Sequence, residues 1–117
     1  MWLLILTLAC QEELGRDWVG VCSVEGHDLD VELHFSEQAW DILSGDVTLS
    51  EGSTSGESNF HGSRSADDLE FEFVFGVDGY VWDGLWVGQI DGNDMEATVR
   101  FMGSEYETEG PCLLEED

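Results

Sequence analysis

The sequence predicts an all-β domain: an eight-stranded antiparallel up-and-down meander closing into a small barrel, with a β-sandwich as the alternative. Three observations carry this. First, apolar residues alternate with polar ones in rows, Leu29, Val31, Leu33, Phe35, then Leu69, Phe71, Phe73, Phe75, then Met95, Ala97, Val99, Phe101. Period two places one face of an extended strand in a core and the other in solvent. Second, one pattern recurs. An aromatic stands two before a glycine in Phe60-x-Gly62 and Trp86-x-Gly88, and six residues past each glycine an aspartate, Asp68 or Asp94, opens an alternating row. A strand, a polar turn and a second strand make a β-hairpin. Trp18-x-Gly20 is a looser third copy and Leu43-x-Gly45 a half copy. Third, no segment carries helical apolar periodicity.

The elements follow in order. β1 spans about Asp17–Val24 and turns through Glu25-Gly26-His27 into β2 (about Asp28–Ser36), whose row Asp28, Asp30, Glu32, His34 points outward. A connection, Glu37–Asp41, holds Trp40, and β3 (Ile42–Ser50) follows. Ser50–Ser58 reads as a flexible loop from its Ser, Gly and Glu content. Then come β4 (about Asn59–Arg64), β5 (Asp68–Val77), the Asp78-Gly79 turn, β6 (Tyr80–Ile90), β7 (Asp94–Met102) and β8 (about Glu105–Leu114). Gly84 inside β6 suggests a bulge or bend. Pro111 cannot donate to a ladder, so β8 is expected to be bulged or an edge there.

At 117 residues the chain suffices for one domain and not two. Its 42% hydrophobic content supports a packed core and argues against disorder. Asp and Glu number 27 against three arginines, Arg16, Arg64 and Arg100, for a net charge of −24. Such a surface repels nucleic-acid phosphates and anionic headgroups, which makes both poor candidate partners and leaves adaptation to salt or capture of a cationic partner as the two readings. It also repels itself, so a salty or cation-rich medium suits it best.

The run Met1–Cys10 (MWLLILTLAC) resembles the end of a bacterial lipoprotein signal peptide, with Ala9-Cys10 as the small residue and the acylated cysteine. Thr7 departs from the usual aliphatic residue, and no Lys or Arg precedes the run. The run is too short to span a bilayer as a helix. The resemblance divides the chain into a signal-like segment (1–9), a tether (10–16) lipidated at Cys10, and a barrel domain (17–117). It implies export to the cell envelope, at the outer membrane or surface, with membrane contact through the lipid alone. In that oxidising compartment the natural partner of Cys22, in the first strand, is Cys112, in the last. A bridge there brings the first strand beside the last, as in a closed meander.

Trp18-x-Gly20 at the start, glycine-marked meander strands and a disulfide near the chain ends are together similar to the calycin-like barrels. These include lipocalins, avidins and bacterial metalloprotease-inhibitor barrels, some of them lipoproteins. The lipocalin signature runs Gly-x-Trp, the reverse of the order here. Trp86-Val87-Gly88-Gln89 looks like a short avidin-strand fragment, but the polar set that holds biotin has no counterpart in this chain.

For function, His27, His34 and His61 share no spacing, and the chain holds no HExxH, CxxC pair, GxSxG or phosphate-cradling loop. The acidic row and the Asp/Asn turns lack the spacing of a calcium loop. No catalytic residue, metal site or cofactor is assigned, and the chain is expected to be a non-enzymatic monomer. β6 is apolar on both faces, so some of its side chains should line a cavity mouth or form an exposed patch. Trp40, Tyr80, Trp82 and Trp86 are therefore the expected contacts for a small hydrophobic or carbohydrate-like ligand or a protein. The alternatives are a protease-inhibitor-like protein that inserts Gln11–Arg16 or Ser50–Ser58 into an enzyme's cleft, and an acidic structural surface protein without a ligand.

Overall fold

The computed structural model describes residues 15–39, 42–77 and 80–117. Cys10 and Trp40 lie outside the described residues, as does the side chain of Tyr80. The fold is a closed barrel in which each strand pairs with the next in sequence and β8 returns to β1. The strands are β1 (Asp17–Val24), β2 (His27–Ala39), β3 (Ile42–Glu51), β4 (Thr54–Ser65), β5 (Asp68–Val77), β6 (Tyr80–Asp91), β7 (Asp94–Met102) and β8 (Glu107–Glu116). All neighbours are antiparallel. The alternating rows face inward as their period requires, and no polar or charged side chain is buried among the described residues.

The recurrent aromatic-x-glycine pattern has a packing cause. Phe60 (β4), Phe71 (β5) and Trp86 (β6) stack across three strands, with ring centroids 4.1 and 5.4 Å apart, and Phe35 closes edge-on against Phe60 at 5.4 Å. A Cβ at Gly62 would stand 1.9 Å from the Glu70 carbonyl oxygen and 2.5 Å from Phe71 Cα, and one at Gly20 2.0 Å from the Leu113 carbonyl oxygen, so these glycines let the neighbouring strand's backbone come close beside the rings. Gly84 makes room for a ring instead. The ladders on both sides of it keep an unbroken register, so the expected bulge is absent. The Phe73 ring fills the missing side chain's place, 2.3 Å from where a Cβ would stand. The register shift lies instead between Phe35 and Glu37, where β2 continues past its predicted end to Ala39.

Ser50–Ser58 is not a loop. β3 runs to Glu51, a turn occupies Gly52 and Ser53, and Thr54–Asn59 pairs with β3 throughout. Composition misled because the inward positions there are small for a reason. Gly56 lies under the Phe75 ring, 2.3 Å from where a Cβ would stand. Beyond Phe60 the β4–β5 ladder stops, and the Val74 N–H donates to the Ser58 Oγ at 3.2 Å.

Tight turns set the register. Glu25 and Gly26 both have positive φ (50° and 81°), the geometry that matches strand twist in a two-residue hairpin. Ala66, at φ 55°, carries a Cβ in the left-handed region. The left-handed penalty of about 1–2 kcal/mol exceeds the added chain entropy of a glycine, so Ala66→Gly should stabilise by about 0.5–1 kcal/mol. A urea melt checks this, the midpoint rising at constant slope.

The two ends of the barrel differ. At one lie the Ala66-Asp67 and Gly92-Asn93 turns, the entering chain at Gly15 and the exit at Asp117. Backbone hydrogen bonds continue the strand pairing there past the ladders. Phe35 N–H donates to the Arg16 carbonyl, Ile90 to Asp67, Glu116 to Asn93 and Asp117 to Asp17, all within 2.9 Å. Trp18 is buried beneath it, its Nε1–H donating to the Gly15 carbonyl at 2.9 Å. The opposite end carries the Glu25-Gly26 and Gly52-Ser53 turns and the Gly103–Tyr106 connection, and there the barrel opens.

Candidate functional site

The open end holds a cavity of about 370 Å³, within the range of small-molecule sites. It is graded by depth. Val24 and Phe101 form a buried floor, while Leu29, Phe75 and Trp82 are half-buried walls. Glu25, His27, Glu51 and Tyr106 are exposed at the rim. Each wall residue is an inward-facing position near a strand end. The alternating rows therefore run from the core straight into the cavity.

The rim is held by two polar ties. His27 Nδ1 lies 2.8 Å from Glu51 Oε2, joining the start of β2 to the end of β3. The Tyr106 hydroxyl donates to Glu25 Oε1, joining the β7–β8 connection to the β1–β2 turn. The Tyr106 ring meets Trp82 edge-on at 5.9 Å, and the Gly103 N–H donates to the Tyr106 carbonyl at 2.7 Å. The Tyr106–Glu25 tie spans the barrel seam where no ladder does. The β1–β8 register ends at Cys22↔Cys112, one residue short of Pro111, which has no N–H to offer. The expected edge character at Pro111 is thus present on the β1 side, while the β7 side stays paired through Thr98. Cys22 and Cys112 are disulfide-bonded at that last pair, as their strand positions predicted.

Glu25 raises the pKa of Tyr106 above its ordinary 10.0, chiefly by accepting the phenol's hydrogen bond, with smaller contributions from desolvation and from the carboxylate's charge. A raised folded-state pKa means that the tie is fully present below the unfolded tyrosine's pKa. It is lost as pH rises through the higher, folded value. In a Tyr80→Phe background, tyrosinate absorbance should therefore appear later than for free tyrosine, and Glu25→Gln should bring it back toward the ordinary range.

Of the residues singled out from sequence, the structure places Trp82 in the cavity wall and Trp86 elsewhere. Trp86 is fully buried, stacked on Phe71 at an interplanar angle of 8°, with its Nε1 unpartnered, and it does not line the cavity. Its inward position in the middle of β6 makes it core. The two-faced apolarity of β6 resolves into Trp82 at the mouth, Trp86 in the core, and Val81 and Val87 exposed on the outer wall. Leu29, Phe75, Phe101 and Tyr106 were not singled out as contacts, although three of them end the rows described above.

His34 pairs with Asp17 at 2.7 Å and His61 is exposed beside buried Phe60, so the three histidines stand apart. No group of three or more metal-ligating side chains converges among the described residues. Compared with protein-family models, curated proteins and solved structures, the chain matches none of them, so what it does must be read from the open end of the barrel itself.

Proposed function

We propose that this chain is an exported, lipid-anchored, non-enzymatic binding module that holds a small apolar molecule in the open end of its barrel. The observation that carries the binding role is the graded cavity: buried Val24 and Phe101 below, Leu29, Phe75, Trp82 and the half-buried Thr108 around, and charged side chains only at the rim. Apolar walls supply affinity and a few rim polar groups supply orientation. Export is supported by the lipobox-like Met1–Cys10 run and by a disulfide, which persists in oxidising compartments. Lipid attached at Cys10 would hold the domain at the cell envelope. The inserting-loop alternative loses one of its two segments, because Thr54–Ser58 is paired strand.

Trp82 reports on the site because it is half-buried in the wall. Titration with a panel of small apolar probes should shift or quench its emission saturably. Trp82→Ala should weaken binding about tenfold or more, since losing most of an aromatic contact removes roughly 1.5–3 kcal/mol of burial. Melting measured alongside should show the variant still folded. A folded wild-type protein that responds to no member of the panel would rule the binding role out.

A further inference from the structure

We infer that the ligand is a cationic amphiphile, a molecule with a compact apolar body and one positively charged head; this rests on the binding role proposed above. The cavity floor and walls carry no charge, so any charged group on the ligand must sit at the rim. Among the described residues the titratable groups there are Glu25, His27, Glu51 and Tyr106. His27 is already set against Glu51, so its one ring does not offset both carboxylates.

No arginine reaches the lining. Arg16 and Arg64 belong to the opposite end, where Arg64 Nε donates to the Ala66 carbonyl at 2.7 Å. Arg100 pairs with Glu107 and Glu109 at 3.4 and 3.8 Å. A ligand carboxylate or phosphate would therefore meet two carboxylates and no arginine or lysine, inside the field of a chain with net charge −24. An ammonium meets the reverse. Trp82 and Tyr106 also offer aromatic surface to a cation seated at the mouth. Glu25 holds its carboxylate there from a left-handed backbone, φ 50°, that a glycine would adopt without penalty.

Three probes with the same apolar chain decide it: decylamine, decanol and decanoate, each titrated below its micelle concentration at low ionic strength against the full chain. The amine should bind about three- to tenfold more tightly than the alcohol, and decanoate weakest of the three. The amine-to-alcohol ratio should fall toward one in roughly 1 M salt, and likewise in the Glu25→Gln/Glu51→Gln variant. Alcohol and amine binding equally well at low salt, or decanoate binding best, would overturn the ligand class and leave the apolar site standing. Amine binding that persists in Trp82→Ala would mark adsorption to the acidic surface, and would also overturn it. Failure of all three probes would remove the binding role itself.

Discussion

Replacing Cys22 and Cys112 together by alanine should lower the unfolding free energy by about 4–5 kcal/mol, the chain-entropy value for a loop of this length and an upper figure. The two residues stand 90 apart in sequence, and both are buried. The loss should fall on the seam. β1 and β8 share five registered pairs where β5 and β6 share ten, and the disulfide sits at the last of the five. Beyond it, toward the cavity, the two strands are held by the Tyr106–Glu25 hydrogen bond and by packing of Gly110 against Ser23 and Val24. Urea unfolding of the double variant, and of the native chain with and without reductant, measures the effect. Equal midpoints would mean that the remaining ladder closes the barrel unaided.

Trp86→Ala should cost about 3–5 kcal/mol, the range for deleting a fully buried large aromatic. The indole lies at one end of the Phe60–Phe71–Trp86 stack, and its loss leaves the Phe71 ring without a partner on that side. Trp86→Phe should cost far less, within about 1 kcal/mol of wild type. It keeps a ring on Phe71 and removes a buried N–H that has no acceptor, itself a penalty of about 1–3 kcal/mol. Comparable losses in the two variants would show that the indole's volume matters and its unpartnered nitrogen does not. Neither variant touches the cavity wall, so probe binding by folded Trp86→Phe should match wild type. Trp82→Ala is expected to behave the opposite way.

The barrel was legible because its evidence is local and repeated. Period two in the rows through Phe35, Phe75 and Phe101 states which face is inside, and glycine two past an aromatic, at Gly20 and Gly62, marks where the neighbouring strand's backbone leaves no space for a Cβ. The seam was legible from chemistry, since two cysteines in the first and last strands of an oxidised domain have little choice. Ser50–Ser58 was misread because small polar residues signal a loop only where nothing packs over them, and Phe75 packs over Gly56. The cavity was half legible. Two-faced apolarity in β6 pointed to Trp82, but nothing local separates Trp82 from Trp86, which share one face of one strand. Their difference is distance from the strand end. In an up-and-down barrel alternate turns gather at the same end, so Leu29, Phe75 and Phe101 meet Trp82 only once the register is known. Tyr106 comes from a connection that breaks the alternation, and no periodic signal marks it.

Both termini of the folded domain leave from the end opposite the cavity, Gly15 beside Trp18 and Asp117 hydrogen-bonded to Asp17. A strand of eight residues tilted in a barrel puts about 20 Å between that end and the rim. Whatever holds the molecule by its leading segment, whether a lipid, a resin or a fused protein, joins the folded domain at the foot, away from the cavity's mouth. A solute can then drop in from above without passing the support, and immobilised protein should take up ligand as readily as protein free in solution.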